Sequence, residues 1–171
     1  MKSGGIIAYP TESCFGLGCD PRNRTAVKRL LQLKGRPQHK GLILIAGSIE
    51  QLKPFIAPIN KTQEQQLAAT WTGPHTWLVP TAKNCPAWLS GRHKTIAVRV
   101  TAYALSANLW RSAGMALVST SANHSGCKPA KTARECYKLF GAQVKIIDGF
   151  IGKARKPSTI QDLASGKIIR P

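Results

Sequence analysis

Residues 25–46 read TAVKRLLQLKGRPQHKGLILIA, and this stretch decides the fold class. Val27, Leu30 and Leu31 recur at helical spacing, Lys34 sits in the last turn where a cation complements the dipole, and Gly35 supplies the stop. A few residues on, 42–46 form a short, unbroken apolar run of the kind that a buried strand needs. Helix followed directly by buried strand is the repeating unit of an α/β sheet, and the rest of the chain repeats it.

Upstream, residues 6–9 read as a buried strand ended by Pro10, and 11–18 as a polar, glycine-containing loop. Downstream, Ser48 and Gln51 form a capping box that predicts a short helix to about Phe55. Residues 61–70 read as a polar helix broken by Gly73-Pro74, 76–79 as a strand, 81–94 as loop, and 95–100 as an alternating strand. A helix is expected over 102–113 and a buried strand over 115–118. Thr132 and Glu135 box the start of a helix to Phe140, and strands follow at 144–147, 158–163 and 167–169. The pattern predicts an α/β protein: a single-domain open twisted mixed β-sheet with flanking helices, spanning residues 1–171, with ligands at the loops beyond strand ends.

Composition narrows the function. At 43% hydrophobic and 19% charged residues the chain is a folded protein, not a disordered tail. Its 25 Lys and Arg against 7 Asp and Glu give a net charge of +18, which makes polyanions the first partners to consider. The excess is spread as +7 over residues 21–60, +4 over 61–100 and +8 over 101–171, so it belongs to the folded surface and not to one tail. Five cysteines with no C-x-x-C read as free thiols in a cytoplasmic protein. The apolar runs are far shorter than the roughly 20 residues of a membrane span. The four histidines show no ligand spacing, so a dedicated zinc site is not expected.

Two polar constellations carry the chemistry. Lys34-Gly35-Arg36 follows the helix, and Ser119-Thr120-Ser121-Ala122-Asn123 follows the strand at 115–118. Two cations, a row of hydroxyls and a carboxamide suit a polyphosphate site with no P-loop. Each half also has a local explanation: dipole compensation for the first, turn and N-cap chemistry for the second. The G-x-G of 16–18 lacks the third glycine and following helix of a dinucleotide fingerprint, and no G-x-x-x-x-G-K-[ST] occurs. Cys14 and Cys19 have no basic partner placed by sequence and read as structural before nucleophilic.

Taken together, Tyr9-Pro10-Thr11-Glu12, Phe15-Gly16-Leu17-Gly18, Lys34-x-Arg36, Gly41-Leu42-Ile43-Leu44-Ile45, Ala97-Val98-Arg99, Ser121-x-Asn123 and Pro157-Ser158-Thr159-Ile160 resemble the YrdC family along the whole chain. The closest likeness is to its short bacterial, TsaC-like branch. The resemblance implies a nucleotidyltransferase that joins L-threonine, bicarbonate and ATP into threonylcarbamoyl-AMP and pyrophosphate, with magnesium arriving with ATP. A downstream complex would then transfer the threonylcarbamoyl group to tRNA. It implies catalytic Lys34 and Arg36; a nucleotide side of Lys34, Arg36, Lys40, Thr95, Ser121, Asn123 and Arg170; and a threonine side of Ser13, Arg99, Ser119 and Ser158. Metal ligands are not assigned.

The sequence departs from the family pattern at Ile45, where longer relatives often carry histidine, at Lys40-Gly41 in place of Asn-Pro, and at Phe15 in place of tyrosine. The family also has a helix before the first strand, whereas this sequence reaches Ile6 almost at once. Either the start is trimmed or one face of the sheet is less covered; if uncovered, its apolar surface would favour self-association or lower stability. The alternative function is a non-catalytic RNA-binding or ribosome-maturation protein, and contact with tRNA or double-stranded RNA fits the charge under either reading.

Overall fold

The computed structural model describes residues 4–101, 103 and 113–171. The helix expected over 102–113 falls almost wholly outside the described residues. Nine strands form one mixed sheet: β1 Ile7–Pro10, β2 Phe15–Cys19, β3 Ile43–Ala46, β4 His75–Pro80, β5 Thr95–Val100, β6 Leu117–Ser121, β7 Lys145–Ile146, β8 Thr159–Asp162 and β9 Ile168–Arg170. Their spatial order is β7-β1-β2-β6-β3-β5-β4-β8-β9. The pairs β1–β7, β3–β5 and β4–β8 are parallel and the others antiparallel. Helices α1 Arg24–Lys34, α2 Lys61–Thr70, α3 Ala87–Ser90 and α4 Ala133–Phe140, with short 3-10 turns at Gln38–Lys40 and Gly141–Gln143, complete the described elements.

Strand alternation sorts the side chains into two layers. Leu17, Leu44, Val98 and Val118 point to one face, where Val27 and Leu30 of α1, Leu67 of α2, Leu89 of α3 and Phe140 of α4 bury them in the main core. On the other face a smaller cluster of Ile7, Tyr9, Ile45 and Leu117 sits beside the polar strand residues. The sheet therefore has a packed side and a working side.

Four expectations need correction. Residues 11–18 are not one loop: Thr11 to Cys14 is a tight turn, closed where the Thr11 N–H and hydroxyl both donate to the Cys14 carbonyl (3.0 and 2.7 Å), and Phe15–Cys19 is a fully buried strand. Glycine is ordinarily poor in strands, but the Tyr9 ring lies across this one. A Cβ on Gly18 would come within 2.9 Å of that ring and 2.8 Å of the Val118 carbonyl.

Residues 48–55 form turns, not a helix. Gln51 accepts from the N–H of Gly47 (2.9 Å) instead of boxing Ser48, and Pro54 has no N–H with which to continue. The loop expected at 81–94 contains the single turn of α3, opened by Pro86. Ser119, Thr120 and Ser121 lie within β6, not beyond it, because β2 pairs with the strand through Gly16↔Ser121 and Gly18↔Ser119.

Capping explains the helix starts. The Asn23 side chain accepts from the Ala26 N–H at α1, and Asn60 and Gln63 form a full capping box at α2. At α4 Thr132 accepts from the Glu135 N–H (3.1 Å), but the Glu135 carboxylate takes the Lys131 N–H (2.6 Å), so only half of the expected box forms.

Candidate active site

The working face carries a cleft of about 870 Å³. Its floor comes from β3, β4, β5 and β6 through Ile43, Ile45, Thr76, Leu78, Ala97, Arg99, Ser119 and Ser121, all on one side of the sheet by strand alternation. Its walls are the turn at 11–14, the loop at 36–42 and the segment 151–158. Ten of the eleven residues expected at the site line it: Ser13, Arg36, Lys40, Thr95, Arg99, Ser119, Ser121, Asn123, Ser158 and Arg170. Lys34 does not.

The α1 C-terminus explains both members of the cation pair. Gly35 takes the left-handed conformation (φ 59°), its N–H donates to the Gln32 carbonyl (3.0 Å), and the Arg36 N–H donates to Leu31 (2.9 Å). This reversal sends Arg36 to the cleft and leaves Lys34 behind the β6 strand end. There Lys34, 3% exposed, donates through Nζ to the carbonyls of Ser121 (2.5 Å) and Asn123 (2.8 Å) and to Asn123 Oδ1 (3.3 Å).

Burial and neighbouring Arg36 pull the Lys34 pKa down to about 8. The Ser121 hydroxyl donates to Asn123 Oδ1 (2.5 Å), and Asn123 Nδ2 donates to the carbonyls of His124 and Cys127 (both 2.8 Å). The S-x-N segment is thus fixed by Lys34 from below. Arg36 itself donates from Nη2 to the Gly41 carbonyl (3.0 Å), while its buried Nε has no acceptor among the described residues.

Two residues before Ser121 along β6, Ser119 Oγ accepts from the Tyr9 hydroxyl (2.6 Å), and burial drives the Tyr9 pKa far above its ordinary value. Ser158 Oγ shares a hydrogen bond with Thr76 Oγ1 (2.8 Å), and Arg170 clasps the Ser158 carbonyl through Nε (3.1 Å) and Nη2 (2.7 Å). Arg99 is 7% exposed and ion-pairs with Glu12, whose Oε1 also accepts from Thr101 Oγ1 (2.6 Å).

Sequence reading quoted Glu12 within a motif but assigned no site role to it, nor to Thr76, Lys131 or the cations Lys153, Arg155 and Lys156. The basic run between Gly152 and Pro157 is the one local signal that could have pointed to the last three.

The charge of the lining is one-sided. Arg36, Lys40, Arg99, Lys131, Lys153, Arg155, Lys156 and Arg170 line the cleft, and among the described residues no Asp or Glu does. Nor do the described residues contain a group of three His, Cys, Asp or Glu suited to a metal ion. All five cysteines are free, and no described helix is long and apolar enough to cross a membrane. Chemically, such a lining suits anions and offers them hydroxyls and fixed donors.

The chain belongs to the Sua5/YciO/YrdC family, whose model, described as telomere recombination, matches residues 1–171. A Methylobacillus flagellatus protein named threonylcarbamoyl-AMP synthase is 64% identical over 171 residues, covering 100% of this chain and 95% of that protein. A Thiobacillus denitrificans protein of the same name is 54% identical over 170 residues, covering 99% and 90%. The crystal structure of P. abyssi Sua5 complexed with L-threonine matches with a TM-score of 0.91 at 31% identity, over 99% of this chain and 51% of that one. This chain therefore spans about half of the P. abyssi protein.

Proposed function

We propose that this protein is a threonylcarbamoyl-AMP synthase, a nucleotidyltransferase that makes L-threonylcarbamoyladenylate and pyrophosphate from L-threonine, bicarbonate and ATP. The observation that supports this reading is that one cleft, lined by no Asp or Glu among the described residues, carries two sets of cations and hydroxyls that we assign to the two substrates. Arg36, Ser121 and Asn123 are assigned to the nucleotide, and Arg99, Ser119 and Ser158 to threonine; all six line the cleft.

Threonine's amine joins bicarbonate as a carbamate with loss of water. A carbamate oxygen then forms a bond to the α-phosphorus of ATP as the bond to pyrophosphate breaks. The reacting species repel one another, so catalysis consists of gathering and aligning them. Arg36 neutralises phosphate charge, Ser121 and Asn123 orient the nucleotide, and Lys34 holds that pair in place. Lys40, Thr95 and Arg170 complete the nucleotide side. Arg99 takes the threonine carboxylate, with Ser13, Ser119 and Ser158 around the rest of the amino acid. A lining without carboxylates does not suit a resident divalent ion, so magnesium enters as part of the substrate, on the phosphates of ATP.

The test is pyrophosphate release by the purified protein with ATP, bicarbonate and threonine, with the adenylate identified by mass. Release that ignores threonine would refute the assignment. The product would pass to a complex that modifies tRNA in the cytoplasm, where five free thiols persist. The +18 charge supports direct contact with tRNA or double-stranded RNA, which binding at rising salt would test.

A further inference from the structure

Glu12 is an acid that meets this cationic cleft through one of its lining residues, Arg99. It sits in the turn between β1 and β2, and its Oε1 receives both the Arg99 guanidinium, through Nη2, and the Thr101 hydroxyl (2.6 Å). Its main chain is held as well. The Glu12 carbonyl accepts from the Ala154 N–H (3.0 Å), and the neighbouring Thr11 carbonyl accepts from the Gly152 N–H (2.9 Å). Glu12 is therefore fixed by the 151–158 wall of the cleft before it touches Arg99. Arg99, in turn, keeps its buried Nε–H without an acceptor among the described residues. One nitrogen of the guanidinium is secured by Glu12, the Nε–H is buried and unpaired among the described residues, and Arg99 itself lines the cleft.

We propose that Glu12 is a positioning residue for the amino-acid substrate: by holding Nη2 of Arg99 it keeps the guanidinium turned so that its remaining donors meet the substrate carboxylate. The inference rests on the reading that Arg99 takes the threonine carboxylate. An arginine buried to this degree with no counter-ion would have to rotate toward water, and the donors offered to the ligand would rotate with it. An Arg–carboxylate pair also has a fixed planar geometry, which is what a neighbouring carboxylate needs in order to be met by two aligned hydrogens. Among the described residues the Glu12 side chain bonds only Arg99 and Thr101, so its effect is expected on the amino acid and not on ATP.

The experiment is steady-state pyrophosphate release by Glu12→Ala, Arg99→Ala and the double variant, with threonine and ATP varied separately. Glu12→Ala is expected to raise the KM for threonine roughly tenfold, the loss typical of one charge-assisted hydrogen bond. The KM for ATP is expected to stay within about twofold. On the Arg99→Ala background the Glu12 substitution should add nothing, because a residue acting only through Arg99 has no effect once Arg99 is gone.

An undiminished effect on that background, or a rise in the KM for ATP instead of threonine, would overturn the proposal. So would a fall in the KM for threonine, which would make Glu12 a competitor for Arg99. Arg99→Ala with an unchanged KM for threonine would instead remove the underlying assignment of Arg99. Should Glu12→Ala fold poorly, Glu12→Gln serves the same comparison. It keeps an oxygen at Oε1 but not the charge, and a rise of about threefold is expected.

Discussion

Replacing Lys34 with methionine keeps an unbranched side chain as far as Cε, with sulfur in place of Cδ, and removes the ammonium, and the structure says what this should do. Three oxygens, the carbonyls of Ser121 and Asn123 and Oδ1 of Asn123, would lose a buried cation that now reaches all of them within 3.3 Å. Breaking a buried charged contact by removing one partner costs about 3–5 kcal/mol, and the relief of the cation's own desolvation favours the lower end. A loss of about 3 kcal/mol corresponds to a fall in Tm of roughly 6–12 °C for a chain of this length.

Arg36→Ala is the comparison, because Arg36 makes its structural contact through one nitrogen to the Gly41 carbonyl. Its Tm should fall by no more than about 4 °C. Both variants should lose pyrophosphate release by about a hundredfold or more. Thermal denaturation followed by circular dichroism, beside the activity assay, separates the two roles. If Lys34→Met melts within about 2 °C of the parent yet is inactive, the ammonium is not holding the S-x-N segment and the division of labour argued here is wrong.

Three further outcomes follow from the same structure. Gly18→Ala places a methyl against the Val118 carbonyl and a Tyr9 ring pinned by its bond to Ser119, so chemical denaturation should register a loss of about 2 kcal/mol. Asn60→Ala removes the capping box of α2, away from the cleft; it should cost about 1 kcal/mol in the same measurement and leave kcat and KM unchanged. Lys34 is a cation with three hydrogens below its pKa of about 8 and a neutral amine with two above it. Pyrophosphate release should therefore decline as pH rises through about 8, and a flat profile to pH 9.5 would mean that Lys34 stays charged throughout.

Legibility in the sequence followed locality. Helix α1 was readable because Val27, Leu30, Leu31 and Gly35 declare it within eleven residues, and β5 because Ile96, Val98 and Val100 alternate. Strand β2 was not readable, because the reason for its glycines is the ring of Tyr9, which only the folded β1–β2 pair brings over them. The candidate site divides in the same way. Residue type and family likeness identified hydroxyls and cations that do line one cleft. The engagement of Lys34 with partners up to 89 residues away, and of Arg99 with Glu12 at 87, is created by sheet order and has no local trace.

Strand β6 lies between β2 and β3 although it follows β5 in the chain. During synthesis on the ribosome, β2 and β3 must wait with open edges until residues 117–121 emerge to join them. The strand that joins these two halves also carries Ser119 and Ser121 and leads to Asn123. Insertion of β6 and assembly of the site are thus one event in the life of the chain. A prematurely terminated fragment would expose unpaired edges prone to aggregation and would hold no trace of activity.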